Sequence, residues 1–323
     1  MAHMIEIVDD VAQIAYAGET PWHGLGTKVS DDLSPQEMLK AAGLNWEVTK
    51  VPLFAEVKNK KIKTGAEALI RSIDNKVLTI VTDTWNPCQN EEAFDFFNDF
   101  VTAGDMQMHT AGSLKGGSHV WALAKIKDSF ELFGGDKIEG FLLFSNPHQF
   151  GKSIDVRFTP IRVVCNNTLT LSLNGKNDRM VRVNHRREFD AEQVKNTLGI
   201  ASTKLTKYKE MAAFLGSKRY KDTDILSYFN QVFPKTSDKK DEASNDNALH
   251  SRAARLAYAA LETQPGADYA PGSWWNAYNA VTFLTDHELG RSTDTRLYSS
   301  WFGVNQAKKV NALNLAVEYA EAA

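Results

Sequence analysis

The chain of 323 residues carries 37 Lys and Arg against 40 Asp and Glu, a formal charge of −3, with 43% apolar and 24% charged residues. That is the composition of a water-soluble globular protein with length for one large domain or two ordinary ones, and it excludes a uniformly basic nucleic-acid binder. Two cysteines, Cys88 and Cys165, exclude a disulfide framework or Cys-x-x-Cys metal pair. No apolar run approaches the ~20 residues that cross a bilayer and no signal peptide opens the chain, so a cytoplasmic location and no membrane partner are expected.

Residues 1–20 have weak periodicity and read as a short helix or an arm. Pro21-Trp22-His23-Gly24-Leu25-Gly26-Thr27 follows as a shaped loop, in which Trp22 and His23 either line a ligand site or, the favoured reading, serve as a buried anchor and a partner for a backbone carbonyl. Ser34-Pro35-Gln36-Glu37 starts a helix that ends near Gly43: serine caps, proline suits the first turn and glutamate completes a capping box. Residues 46–55, 68–73 and 77–82 read as strands, the last two joined by a turn at Asp74-Asn75-Lys76, and the basic run 58–63 as an exposed hairpin tip.

Asn90-Glu91-Glu92 opens a second helix, with Phe94, Phe97, Phe100 and Val101 on its core face. Residues 106–111 and 119–126 form a strand pair across Gly116-Gly117. These glycines resemble a phosphate loop only superficially, since neither a GK[ST] element nor a dinucleotide fingerprint stands in strand-to-helix context. Residues 130–133 and a turn at Gly134-Gly135-Asp136 lead into the most structured stretch, 141–173. There residues 141–144 and 154–164 read as a hairpin around Asn146, Pro147 and Gly151, interrupted at Pro160, and Asn166 or Asn167 caps a short helix over 168–173.

A polar turn at 174–179 precedes the alternating run Val181-Arg182-Val183-Asn184-His185, and Asp190 then caps a long helix. Residues 151–219 hold 14 basic and 6 acidic residues, a local balance of +8, against 23 basic and 34 acidic elsewhere. Such segregation marks either an anion-binding surface on an acidic body or a solvated helix face. Residues 225–233 form a further helix. PKTSDKKDEASNDN, residues 234–247, is polar enough to read as a linker between a domain at 1–233 and a helical region at 248–323. Helices at 248–262, 274–287 and 304–322 share an aromatic core of Trp274, Trp275, Tyr278, Trp301 and Phe302, and Asp286-His287 reads as a helix-end cap. The expected class is α+β: an antiparallel sheet with helices packed on one side, then a mainly helical C-terminal part.

No histidine pair has HExxH or HxH spacing, and no cluster of carboxylates suggests a two-metal site, so neither a metal nor another cofactor is expected. Cys165-Asn166 with His148 or His185 has the residue types of a thiol hydrolase, but nothing in the sequence orients them and no catalytic residue is assigned.

Three strings, PWHGLGT, TPIRVVCNNTL and WNAYNAVTFLTDH, together resemble the phage/plasmid-like protein family, a domain of unknown function spread through phages, prophages and plasmids. The hairpin, strand, long helix and basic surface are also similar to the core of the phage single-strand annealing proteins. That likeness implies a non-catalytic protein in the host-cell cytoplasm that binds single-stranded DNA to anneal or protect it, working as a homo-oligomer. Arg157, Arg162, Lys176, Arg179, Arg182, Arg186 and Arg187 would then hold phosphates, and Phe150 and Phe158 would stack on bases. The alternative implied by the same setting is an interaction or counter-defence module that binds a host protein.

Overall fold

A computed structural model describes residues 5–18, 24–162, 167–168, 180–198, 201–235, 249–290 and 293–323. The chain divides into two compact units. One comprises Met1–Lys127, Phe141–Phe158 and Gly175–Gly199; the other comprises Asp128–Gly140, Thr159–Asn174 and Ile200–Ala323. Helices from Ala201 onward therefore group with the C-terminal helices, rather than with the sheet as the expected boundary at 234–247 implied. Residues 236–248 of that stretch lie outside the described residues.

In chain order the first elements are β1 (Ile7–Val8), β2 (Val11–Ala12), β3 (Ile14–Ala17), β4 (Thr27–Val29), α1 (Pro35–Ala41), β5 (Val48–Val57), β6 (Lys60–Arg71), β7 (Val77–Thr82), α2 (Asn90–Asp95) and α3 (Asn98–Thr102). Strands β8 (Met106–Leu114), β9 (His119–Leu132), β10 (Asp136–Pro147), β11 (Ile154–Arg162), β12 (Asn167–Thr168) and β13 (Met180–Val183) follow, and then helix α4 (Ala191–Leu198). The main sheet has the order β12-β11-β10-β9-β8-β3-β4, with β13 also paired to β11, and β5-β6-β7 form a separate small sheet. The architecture is α+β, and β3 and β4 depart from the expected antiparallel sheet by running parallel, Ala15 opposite Thr27.

The N-terminal segment is strand, not helix or arm. Ile14-Ala15-Tyr16-Ala17 is buried throughout because it sits between β8 and β4, so it lacks the alternation by which half-buried strands are recognised. The expected helix at 168–173 is also corrected at its start. Asn167 and Thr168 are extended, opposite Arg162 and Ile161, and residues 169–173 lie outside the described residues. The capping box is present: Glu37 N–H donates to Ser34 Oγ at 3.3 Å, and Ser34 N–H donates to Glu37 Oε2 at 2.8 Å. The phenylalanine helix breaks into α2 and α3 around Phe96 and Phe97, both fully buried.

Arg71, 2% exposed, joins the small sheet to the N-terminal segment. It donates to Glu6 Oε1 at 2.7 Å and to both carboxylate oxygens of Asp74, while Ser113 Oγ donates to Glu6 Oε2 at 2.7 Å. The Gly116-Gly117 turn has a structural role here. Gly117 has φ +84°, and a Cβ on it would lie 2.3 Å from an Arg71 terminal nitrogen, so glycine leaves the guanidinium its room.

In the second unit α5 (Ala201–Ser217), α6 (Asp222–Val232), α7 (Arg252–Thr263), α8 (Trp274–Phe283), α9 (Thr293–Phe302) and α10 (Val304–Ala322) surround buried Trp274, Trp275, Tyr208 and Tyr228. Trp275 Nε1–H donates to Asp136 Oδ2 at 2.8 Å, and Trp274 stacks on Tyr319 with centroids 5.0 Å apart. A turn of π-helix, Leu284–Glu288, continues α8. Asp286 does not act as a helix-end cap: it is buried and pairs with Lys309 Nζ at 2.7 Å. No helix among the described residues is long and apolar enough to cross a membrane.

Candidate functional site

The site lies in the first unit, where three stretches meet: the loop from Trp85 to Asn90, the end of β10, and the chain leaving β13. The loop is held at alternate residues. Asn86 exchanges two bonds with His185, its own N–H donating to His185 O at 2.5 Å and its carbonyl accepting from Nδ1 at 3.0 Å. The Cys88 carbonyl accepts from Asn146 Nδ2 at 2.9 Å, and Asn90 Oδ1 accepts from His148 Nε2 at 2.9 Å. Between them Gln89 faces the other way, trading hydrogen bonds with the Val48 backbone at 2.9 and 3.0 Å. The run thus reaches His185, Asn146 and His148 through 86, 88 and 90 and the small sheet through 89, while the Asn90 amide nitrogen also donates to the carbonyls of Leu44 and Trp46.

The clamp is dry. Asn146, His148 and His185 are at most 1% exposed, with Trp85 stacked 4.1 Å from His185 and Trp46 tilted 5.5 Å from His148. Burial, with a contribution from His185, holds His148 at about 3. Burial also lowers His185, opposed by its bonds to the carbonyls of Asn86 and Pro147. His119, which shares a 3.0 Å hydrogen bond with Ser145 Oγ, is likewise lowered to about 3 by burial and then by Lys115. All three are neutral imidazoles at pH 7. The Cys88 thiol is pushed up by burial and by Glu92, away from the reactive thiolate. The two histidines offered by the sequence as partners for Cys165 are thus both committed to the loop, and Cys165 lies outside the described residues. Among the described residues no group of three or more His, Cys, Asp or Glu is placed to hold a metal ion.

The clamp presents a surface. His185 turns inward, and the residues on either side of it form a tight turn in which the Arg186 and Arg187 N–H groups donate to Asn184 Oδ1 and O, both at 3.0 Å. Arg186 and Arg187 face solvent. Because β13 runs antiparallel to β11 with Val183 opposite Ile154, this turn leaves the sheet at the end where the 148–153 connection enters β11. That connection carries Lys152, exposed, and Phe150, 56% exposed, with Lys152 N–H closing the turn onto Gln149 O at 3.2 Å. One sheet end therefore gathers an exposed aromatic ring and three cations.

The other expected contact residues fall differently. Arg182 is exposed but lies directly opposite Asp155 across the β11–β13 pair. Arg157 is buried, 8% exposed, with Nε 3.5 Å from Asp155 Oδ1, and Phe158 is 4% exposed. These two are corrections. A strand sends alternate residues to opposite faces, but here both faces of β11 are covered between Ile154 and Phe158, so Phe158 offers no ring face to a base and Arg157 no open fork to a phosphate. Arg162 lies in β11 opposite Asn167, its side chain outside the described residues, as are Lys176 and Arg179. Of PWHGLGT, residues 21–23 lie outside them too. Lys152 was missed: it was legible as a lysine beside Gly151 in the turn, next to Phe150. The histidine clamp was not legible, since its partners are up to 99 residues apart.

Residues 77–302 match the family described as "Domain of unknown function (DUF932)". No curated protein and no solved structure matches the chain. The match spans more than half of the 323 residues, so the chain belongs to this family, the phage- and plasmid-associated domain that its three motifs resemble.

Proposed function

We propose that this protein binds single-stranded DNA without catalysis, to anneal or protect strands for a phage or plasmid, and does so as a homo-oligomer in the host cytoplasm. The observation that carries the reading is the juxtaposition of Phe150, Lys152, Arg186 and Arg187 at one end of the main sheet, the three cations belonging to the segment 151–219 whose local balance is +8. Cations neutralise phosphates, and an exposed ring stacks on a base of any sequence, the pairing that sequence-tolerant strand binding needs. The clamp beneath supplies rigidity: Arg186 and Arg187 follow directly on a histidine anchored by two hydrogen bonds. A short binding surface tracks only about 4–16 nucleotides if single-strand folds of similar size are a guide, so holding a long strand calls for repetition of the subunit.

Fluorescence anisotropy with a labelled oligonucleotide over a salt titration tests it. Binding is expected to weaken steeply with salt, and Arg186→Ala with Arg187→Ala to lower the log–log slope by about 0.7 for each phosphate that the variant no longer neutralises. Salt-independent binding, or none, removes the reading in favour of a protein partner, whose apolar hot spots do not respond in this way.

A further inference from the structure

Two turns make up the proposed strand-binding surface, and each leaves a buried histidine. Gln149, Phe150, Gly151 and Lys152 follow His148, and Arg186 and Arg187 follow His185. The turns meet where Ile154 faces Val183 across the β11–β13 pair. Both histidines reach the same loop, His148 through Asn90 Oδ1 at 2.9 Å and His185 through the Asn86 carbonyl at 3.0 Å. Four residues of extended chain span at most about 14 Å, so the loop bounds the separation of the two anchors. Asn146, bonded to the Cys88 carbonyl at 2.9 Å, ties the loop to the end of β10 midway between them.

The loop is itself a fixed reference. The Gln89 side chain bonds the Val48 backbone, and its N–H donates to Glu92 Oε2 at 2.7 Å in the first turn of α2. Asn90, the first residue of α2, donates to the Leu44 and Trp46 carbonyls. Each imidazole is then restrained twice, once by its hydrogen bond and once by a tryptophan. Trp85 stacks on His185 at an interplanar angle of 19°, and Trp46 tilts over His148 at 58°. An apolar side chain in either place would fill the volume and leave the turn free to slide. A hydrogen bond to a fixed acceptor sets both the distance and the direction of the residue that makes it. Exposed turns are otherwise the mobile part of a fold.

We propose that His148 and His185 are positioning residues for strand binding: through the 86–90 loop they hold the Phe150–Lys152 turn and the Arg186–Arg187 turn at one separation, so that ring and cations meet the same strand. Neither histidine touches the ligand, since both are at most 1% exposed. Asn184 completes the cationic side, its Oδ1 and carbonyl accepting from the Arg186 and Arg187 N–H groups. A site whose halves are already spaced loses no affinity to ordering them on binding. Linkage makes the relation reciprocal: if the braced arrangement favours the bound strand, the bound strand tightens the brace. The inference rests on the strand-binding reading above and adds to it the residues that set its geometry.

Anisotropy over a salt titration tests it, with a labelled oligothymidine longer than the about 16 nucleotides that one such surface tracks. His185→Leu removes the bond and keeps an apolar side chain. It is expected to weaken binding about tenfold or more and to lower the log–log slope by about 0.7 for each phosphate that Arg186 and Arg187 release. His185→Asn, whose Nδ2 stands in the place of Nδ1, keeps affinity within a few-fold. His148→Leu weakens binding with a slope lowered by no more than the one phosphate of Lys152, since stacking releases no counterions, and His148→Gln restores it. Ile14→Ala empties a buried position in β3, two strands removed from β10, and lowers stability without moving the folded chain's affinity. Hydrogen exchange of the natural chain needs no variant: the oligonucleotide is expected to slow the Asn86 amide, which donates to the His185 carbonyl, and to leave β4 unchanged. The positioning role is overturned, and strand binding left in place, by a leucine variant that binds as the natural chain does or by an Asn86 amide that the oligonucleotide does not slow. Equal losses in the leucine variants and Ile14→Ala overturn it likewise. A natural chain that binds no oligonucleotide overturns strand binding and the positioning role with it.

Discussion

His148 donates its Nε2 hydrogen to Asn90 Oδ1 over 2.9 Å, and the direction of that bond follows from Asn90 itself, whose amide nitrogen donates to the carbonyls of Leu44 at 3.0 Å and Trp46 at 3.3 Å. Asn90 Oδ1 is then the acceptor, and the neutral imidazole carries its proton on Nε2. Each partner specifies the other, 58 residues away in the chain.

Asn90→Asp keeps the acceptor for His148 and loses both donors, leaving a buried carboxylate against two carbonyl oxygens. The change is expected to destabilise the chain by about 2–5 kcal/mol, more than Asn90→Ser, because an unpaired buried charge costs more than a missing neutral hydrogen bond. Urea denaturation at neutral pH measures it. Equal stability of Asn90→Asp and the natural chain would show that the amide is not holding the loop.

Burial holds both His119 and His148 at about 3 in the folded chain, with Lys115 adding to the first and His185 to the second. Unfolded, both titrate near 6.5. Between those values the unfolded chain takes up protons that the folded chain refuses. Their contribution is therefore fully present above about 6.5 and is lost as pH falls toward about 3, by on the order of 1.4 kcal/mol per pH unit for each histidine. The urea midpoint is expected to fall between neutral pH and about pH 5, where few carboxylates titrate, and His119→Gln to flatten that fall in part, since His148 and His185 still contribute. A midpoint that does not move across this range contradicts the buried neutral histidines.

Arg71 holds Glu6 and Asp74 at 2% exposure, so its removal strands the Glu6 carboxylate. Arg71→Ala is expected to cost about 3–5 kcal/mol, and Glu6→Gln with Arg71→Met to recover part of it, since an apolar replacement leaves no buried charge behind. Thermal and urea unfolding of the two variants check the order. The reverse order would place the ion pair at the surface in solution.

Two phenylalanines of the basic region's hairpin are expected to separate in experiment. Phe158→Ala removes a buried ring and costs about 3–5 kcal/mol of stability. Phe150→Ala, at 56% exposure, leaves stability nearly unchanged and weakens oligonucleotide binding by about 1–3 kcal/mol if its ring stacks on a base. Paired urea and anisotropy measurements decide. Unchanged binding in Phe150→Ala takes the ring out of the proposed surface.

What the sequence determined by itself is what neighbours along the chain can encode. The Ser34–Glu37 capping box, the strands around the 74–76 turn and the Asp190 helix cap are local devices, each complete within a few residues, and each is in place. Local rules also carried the α+β class and the family motifs. Period-two alternation said that Arg157 and Phe158 lie on opposite faces of one strand, but whether either face meets water is settled by β10, β13 and the rest of the unit packing around it. The same limit hid the N-terminal strands: Ile14–Ala17 is covered on both faces, so no polar side survives to reveal a strand. Conversely, Val51, Val57, Ile62 and Ile80 are aliphatic strand residues that stand open to solvent. Only the tertiary structure decided these cases, and it also brought His185, Asn146 and His148 onto residues 86–90. Hydrogen bonds between residues 58 to 99 apart depend on how strands are ordered in space, and strand order leaves no periodic trace in the residues that make the contact.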